Sequence, residues 1–80
     1  MYEVDPLDAS VGDLPDDLLA DFAELRAALE VSPRTVGRPY LDSDPAGMRT
    51  VDFGNGRALL TYGVIEHDRR VFLISLVIAP

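Results

Sequence analysis

The spacing of apolar residues along this chain changes period partway, and the change separates a helix from a sheet. Leu18, Phe22, Leu25 and Leu29 recur at the 3.6-residue period of an α-helix, Leu19 widens the stripe, and Asp21, Glu24 and Glu30 fall off it. Asp13-Leu14-Pro15-Asp16-Asp17 places a proline in the first turn and acids at the positive end of the helix dipole, and Ser32-Pro33 stops the helix after Val31. Beyond Gly47 the period shortens, and three strands are predicted at residues 48–53, 57–65 and 70–79. Gly54-Asn55-Gly56 supplies the positive-φ residues of a tight hairpin, and Glu66-His67-Asp68-Arg69 is a polar turn, so the three strands form an antiparallel meander. Alternation puts Met48, Thr50 and Asp52 on one face of the first strand and Arg49, Val51 and Phe53 on the other. In the second strand Leu60, Tyr62 and Val64 oppose Leu59, Thr61, Gly63 and Ile65.

Residues 1–4 form a short strand ending at Asp5-Pro6, expected at a sheet edge, and residues 8–12 a turn of helix capped by Asp8 and stopped by Gly12. Residues 33–47, with three prolines and two glycines, read as a loop pinned to the core by Tyr40 and Leu41. The order predicts one α+β domain over residues 1–80: a small antiparallel sheet of the N-terminal strand plus the C-terminal meander, with one main helix and a short preceding one packed on one face.

The last strand is out of balance with that plan. Val71, Phe72, Leu73, Ile74, Leu76, Val77 and Ile78 are interrupted only by Ser75, and a strand that is apolar on both faces needs cover on both. One amphipathic helix covers one face. The other calls for a partner, a second copy or the N-terminal segment, and these seven residues are the candidate partner-binding set.

Charge narrows the choice. Fourteen acidic residues face seven basic ones, all arginine, for a net charge of −7, which opposes long-range steering toward nucleic acid. The absence of cysteine removes disulfides and thiolate metal sites and fits a reducing compartment. The first residues lack the basic and apolar regions of a signal peptide, and the last strand falls short of the roughly 20 apolar residues that span a bilayer. The expectation is a cytoplasmic protein with no membrane association. At 80 residues the chain buries only about 60% of its unfolded surface, so association is a natural source of stability.

Candidate chemistry is sparse. His67, between Glu66 and Asp68 in a turn, reads as a solvated residue; metal binding would need ligands that no spacing provides, and no cofactor is implied. Asp16 and Asp17 are explained by the helix dipole, the serines lack a neighbouring base, and no helix follows Gly54-Asn55-Gly56 to present phosphate-binding N–H groups.

In this order the local phrases resemble the RelE/ParE superfamily of toxins from bacterial toxin–antitoxin systems. Val4-Asp5-Pro6, Leu14-Pro15, the helix ending at Ser32-Pro33 and Gly37-Arg38-Pro39-Tyr40-Leu41 resemble the family's first half. Gly47-Met48-Arg49, Gly56-Arg57-Ala58-Leu59-Leu60-Thr61-Tyr62-Gly63-Val64 and Arg70-Val71-Phe72-Leu73-Ile74 resemble its meander. The resemblance implies a toxin neutralised by a cognate antitoxin laid on its exposed apolar surface, acting either by cleaving mRNA on the ribosome or by poisoning DNA gyrase. It implies Arg49 and Arg57 as phosphate-binding catalytic residues of the nuclease branch. The nucleases also carry an Arg and a Tyr or His at the end of the last strand, where this chain reads Ile78-Ala79-Pro80 and has no lysine. Whether the chain is an enzyme therefore stays open. The alternative is a non-catalytic interaction domain that keeps the toxin fold and uses its apolar sheet to form a homodimer or bind another protein.

Overall fold

A computed structural model describes residues 1–5, 14–41, 43 and 47–78. The helical turn expected at residues 8–12 lies outside them. Among the described residues the elements run β1 (Glu3–Asp5), α1 (Asp16–Val31), α2 (Pro33–Val36), β2 (Arg38–Pro39), β3 (Arg49–Phe53), β4 (Ala58–Ile65) and β5 (Arg70–Ile78). They make one five-stranded sheet in the order β1-β5-β4-β3-β2. The meander is antiparallel throughout, while β1 runs parallel to β5 at the edge and pairs only with Arg70, Val71 and Phe72. The sheet is therefore mixed rather than purely antiparallel. The return from β1 to β5 through the helix and meander is long enough to bring the two strands alongside in the same direction.

α1 begins as its sequence dictates. The Pro15 carbonyl accepts from the Leu18 and Leu19 amides at 2.9 and 3.0 Å, and Asp16 and Asp17 occupy the first turn. Leu18, Phe22, Leu25 and Leu29 form the buried stripe, whereas Leu19, expected to widen it, remains 38% exposed. At the other end the Ser32 amide donates to the Ala28 carbonyl, and Pro33, with its preset φ, starts α2 directly. The stretch read as a loop thus opens on a helical turn and continues into β2. Tyr40 and Leu41 do not pin it: both are 54% exposed. Their backbone does the holding instead, through the Tyr40 amide donating to the Met48 carbonyl at 2.8 Å.

The core lies between α1 and one face of the sheet. Leu60, Tyr62, Val71, Phe53 and Val4 meet Leu18, Phe22, Leu25 and Leu29, with the Phe22 and Phe53 rings tilted at 5.8 Å between centroids. The β3–β4 turn carries positive φ at Gly54, Asn55 and Gly56, as its sequence predicts.

β5 owes its unbroken apolar run to a bulge. Thr61 pairs with Ser75 and Tyr62 with Leu73, so Ile74 has no opposite residue on β4. The extra residue resets the alternation. Val71, Leu73, Leu76 and Ile78 register with the helix-face positions Val64, Tyr62, Leu60 and Ala58, whereas Phe72, Ser75 and Val77 register with Gly63, Thr61 and Leu59 on the opposite face.

Candidate functional site

Both helices sit on the same side of the sheet: α1 through its leucine stripe, and α2 through the Tyr62 hydroxyl donating to the Pro33 carbonyl at 2.6 Å. No described helix covers the other face. There Leu59, Ile65, Phe72, Ile74 and Val77 are between 36% and 58% exposed, and Met48 continues the patch at 41%. The Phe72 ring lies over Gly63, so closely that a side-chain carbon at that glycine would stand 2.3 Å from the ring tip. Thr50 and Thr61, paired across β3 and β4, are only 6% and 8% exposed. Partly exposed apolar side chains are thus gathered on one side of this small domain.

The seven candidate partner-binding residues divide between the two faces. Phe72, Ile74 and Val77 are exposed on the open face; Leu73 and Leu76 pack half-buried against the core; Val71 is fully buried beneath the protein's own helix layer; and Ile78 is 37% exposed. Val71, Leu73 and Leu76 thus pack within the chain, while Phe72, Ile74, Val77 and Ile78 are 37–58% exposed.

Arg49 and Arg57 are not brought together. They stand at opposite ends of the β3–β4 hairpin, with four strand steps of about 3.3 Å each between Arg49 and the end of β3. Arg49 faces inward with Val51 and Phe53, is 7% exposed, and donates from Nη2 to the Arg34 and Gly37 carbonyls, both at 2.8 Å. Its Nε has no acceptor among the described residues. This guanidinium ties down the α2–β2 connection. Arg57 is half exposed and bound to Asp17 at the start of α1, where its hydrogen bond holds the Asp17 carboxyl below the usual range.

The sequence reading missed Arg38. β2 sets it opposite Thr50 on the open face, and with Asp52, Arg57, Leu59 and Val77 it lines a shallow hollow of about 410 Å³. Its ion pair with Asp52 is loose, at 3.8 Å. Parity would have placed Asp52 and Leu59 there, but nothing in a two-residue strand inside a proline- and glycine-rich stretch announced Arg38. The remaining ion pairs are structural ties at the sheet's ends. Arg70 holds Asp5 at 2.6 Å across β5 and β1, while Arg34 and the Tyr2 hydroxyl both donate to Glu66. His67 is 93% exposed beside Asp68, consistent with a solvated turn residue. Among the described residues no three His, Asp or Glu gather as metal ligands, and no helix is long and apolar enough to cross a membrane.

No protein-family model matches the chain, and no curated protein matches it in sequence. A solved structure does match in three dimensions: the crystal structure of the isolated E. coli RelE toxin superposes over 100% of this chain and 86% of that one, with a TM-score of 0.78 at 20% identity. The mixed sheet and its helix layer thus share the fold of that toxin.

Proposed function

We propose that this chain is the toxin-fold component of a bacterial type II toxin–antitoxin pair, held in the cell by a cognate antitoxin that covers the open face of the sheet. The observation that carries the reading is the conjunction of the RelE fold with an apolar face that no described element covers. An 80-residue domain leaving Phe72, Ile74, Val77, Leu59 and Ile65 half exposed gains both stability and solubility when a second protein seals them.

Within that reading the arrangement of arginines favours action through protein contact over mRNA cleavage. Cleavage by attack of a 2′-hydroxyl needs cations aimed at the charge that develops on phosphate. Arg49 donates inward to backbone carbonyls, and Arg38, Arg57 and Arg70 each stand beside a carboxylate. Gyrase-type inhibition, or a non-catalytic interaction domain on the same fold, makes no such demand.

Expression of the chain alone tests the proposal. Growth arrest that is relieved by co-expressing the small neighbouring reading frame supports it, and DNA-damage signalling with bulk mRNA intact selects the gyrase branch. Harmless accumulation of folded protein that binds no neighbouring product would sink it and leave the interaction domain.

A further inference from the structure

We infer that the hollow between Arg38 and Arg57 is the seat of a carboxylate, carried beside apolar side chains on the segment of the partner protein that covers the open face; the inference rests on the reading that a partner covers it. Arginine has five N–H donors in a planar fork matched to a carboxylate. Arg57 gives one nitrogen to Asp17, and the carboxylate beside Arg38 is 3.8 Å away, beyond hydrogen-bonding distance. Both side chains line the hollow and are half or more exposed, so neither ion pair closes them off from a ligand. The walls are the other half of the recognition. Leu59 and Val77, paired across β4 and β5, are 36% and 58% exposed and lead into Ile74 and Phe72.

A single carboxylate with greasy neighbours fits this lining, and a nucleic-acid strand does not. Asp52 sits inside the hollow and opposes a doubly or repeatedly charged ligand more than a singly charged one. A polyphosphate backbone running on from the hollow would lie over Val77, Ile74 and Phe72, and the chain's net charge of −7 adds repulsion. A peptide segment with one Glu or Asp at this end and aliphatic residues along the rest satisfies both halves.

The experiment is a nuclear magnetic resonance titration of the ¹⁵N-labelled full chain at low salt, following the Arg38 and Arg57 Nε–H signals and the Leu59 and Val77 amides. The probes are the capped peptide acetyl-Val-Thr-Leu-Glu-Val-Thr-amide, its Gln counterpart and a hexauridylate RNA. The Glu peptide is expected to bind about 10-fold more tightly than the Gln peptide, the difference that a charge-assisted pair supplies. That ratio should fall to near one in an Arg38→Gln, Arg57→Gln double variant, and Asp52→Asn should raise it. Equal binding of the two peptides at this face overturns the carboxylate seat and leaves the face as a partner surface. Binding of neither overturns both. RNA that shifts the two arginine signals and displaces the Glu peptide overturns the assignment in favour of nucleic acid.

Discussion

Leu59 and Leu60 are neighbours in the same strand and the same residue type, yet Leu59 is 36% exposed and Leu60 fully buried. The contrast between them is the contrast between the two faces of the sheet. On the helix face Leu60, Tyr62, Val71 and Phe53 join the α1 leucines in one buried cluster, and Arg49 is buried on the same face. On the open face comparable side chains, Leu59, Phe72, Ile74 and Val77, are 36–58% exposed, and no described helix lies over them. What separates the faces is the supply of cover and not composition, because the alternation of β4 and the bulge in β5 send similar residues to both.

The sharpest way to break the comparison is to truncate each leucine in turn. Leu60→Ala removes a fully buried side chain from the centre of the core and should cost about 2–5 kcal/mol. Leu59→Ala, on the half-exposed side, should stay within about 0.5–1 kcal/mol. In a domain of this size each kcal/mol moves the thermal midpoint by roughly 4–8 °C, so melting curves should separate the variants by at least about 4 °C. Similar losses for both would mean that the open face is packed as tightly as the other.

Next in size is the split between the two arginines that the resemblance paired. Arg49→Ala leaves the Arg34 and Gly37 carbonyls without their donor and should destabilise by about 2–3 kcal/mol, measured by urea unfolding. Arg57→Ala breaks one exposed ion pair and should change stability by less than about 1 kcal/mol. Loss of growth arrest in the first variant then reports folding, while loss in the second reports the surface.

Much of this was legible in the residues. The leucine stripe of α1, the three strands of the meander, the glycine turn and the edge position of β1 all follow from period and turn chemistry. Even the inward direction of Arg49 was present in the alternation, which set it with Val51 and Phe53. Its role as an anchor for α2 was not, because the carbonyls it meets belong to a connection that the sequence describes only as proline-rich. The bulge was hidden for a different reason. In a run as uniformly apolar as β5 a one-residue slip leaves no mark, so which of its residues face out could not be read before the register was known. Arg38 stayed hidden because a two-residue strand is too short to have a period.

A smaller perturbation probes how the open face is held. Adding a methyl at Gly63 places it 2.3 Å from the tip of the Phe72 ring, which is 38% exposed and can swing away. Gly63→Ala should therefore cost less than about 1 kcal/mol, because the lower conformational entropy of the unfolded chain partly offsets the lost ring contact. Its effect should appear in the ring-current shifts around residue 63 more than in the melting curve. A large loss of stability would show that Phe72 is locked in place and that this face is more finished than its exposure implies.

The smallest expected effect is electrostatic, and it links the two faces. Hydrogen bonds from Arg34 and then Tyr2 hold the Glu66 carboxyl below its ordinary value of 4.5, and the hydrogen bond from Arg57 holds Asp17 below its ordinary 3.8. A carboxyl whose pKa is lower in the folded state than in the unfolded one stabilises the fold above its ordinary value, and the contribution fades as the pH falls through the folded value. Both groups are exposed, so melting curves should show only a shallow acid limb below about pH 4.5. Glu66→Gln should flatten that limb without touching the open face. Asp17→Asn should flatten it too, but it also frees an Arg57 nitrogen toward the hollow beside Leu59 and Val77. If the hollow seats a carboxylate, Asp17→Asn should tighten the Glu peptide while Glu66→Gln leaves its binding unchanged, although the two variants melt alike. Equal peptide binding by both would sever the charged link between α1 and the open face.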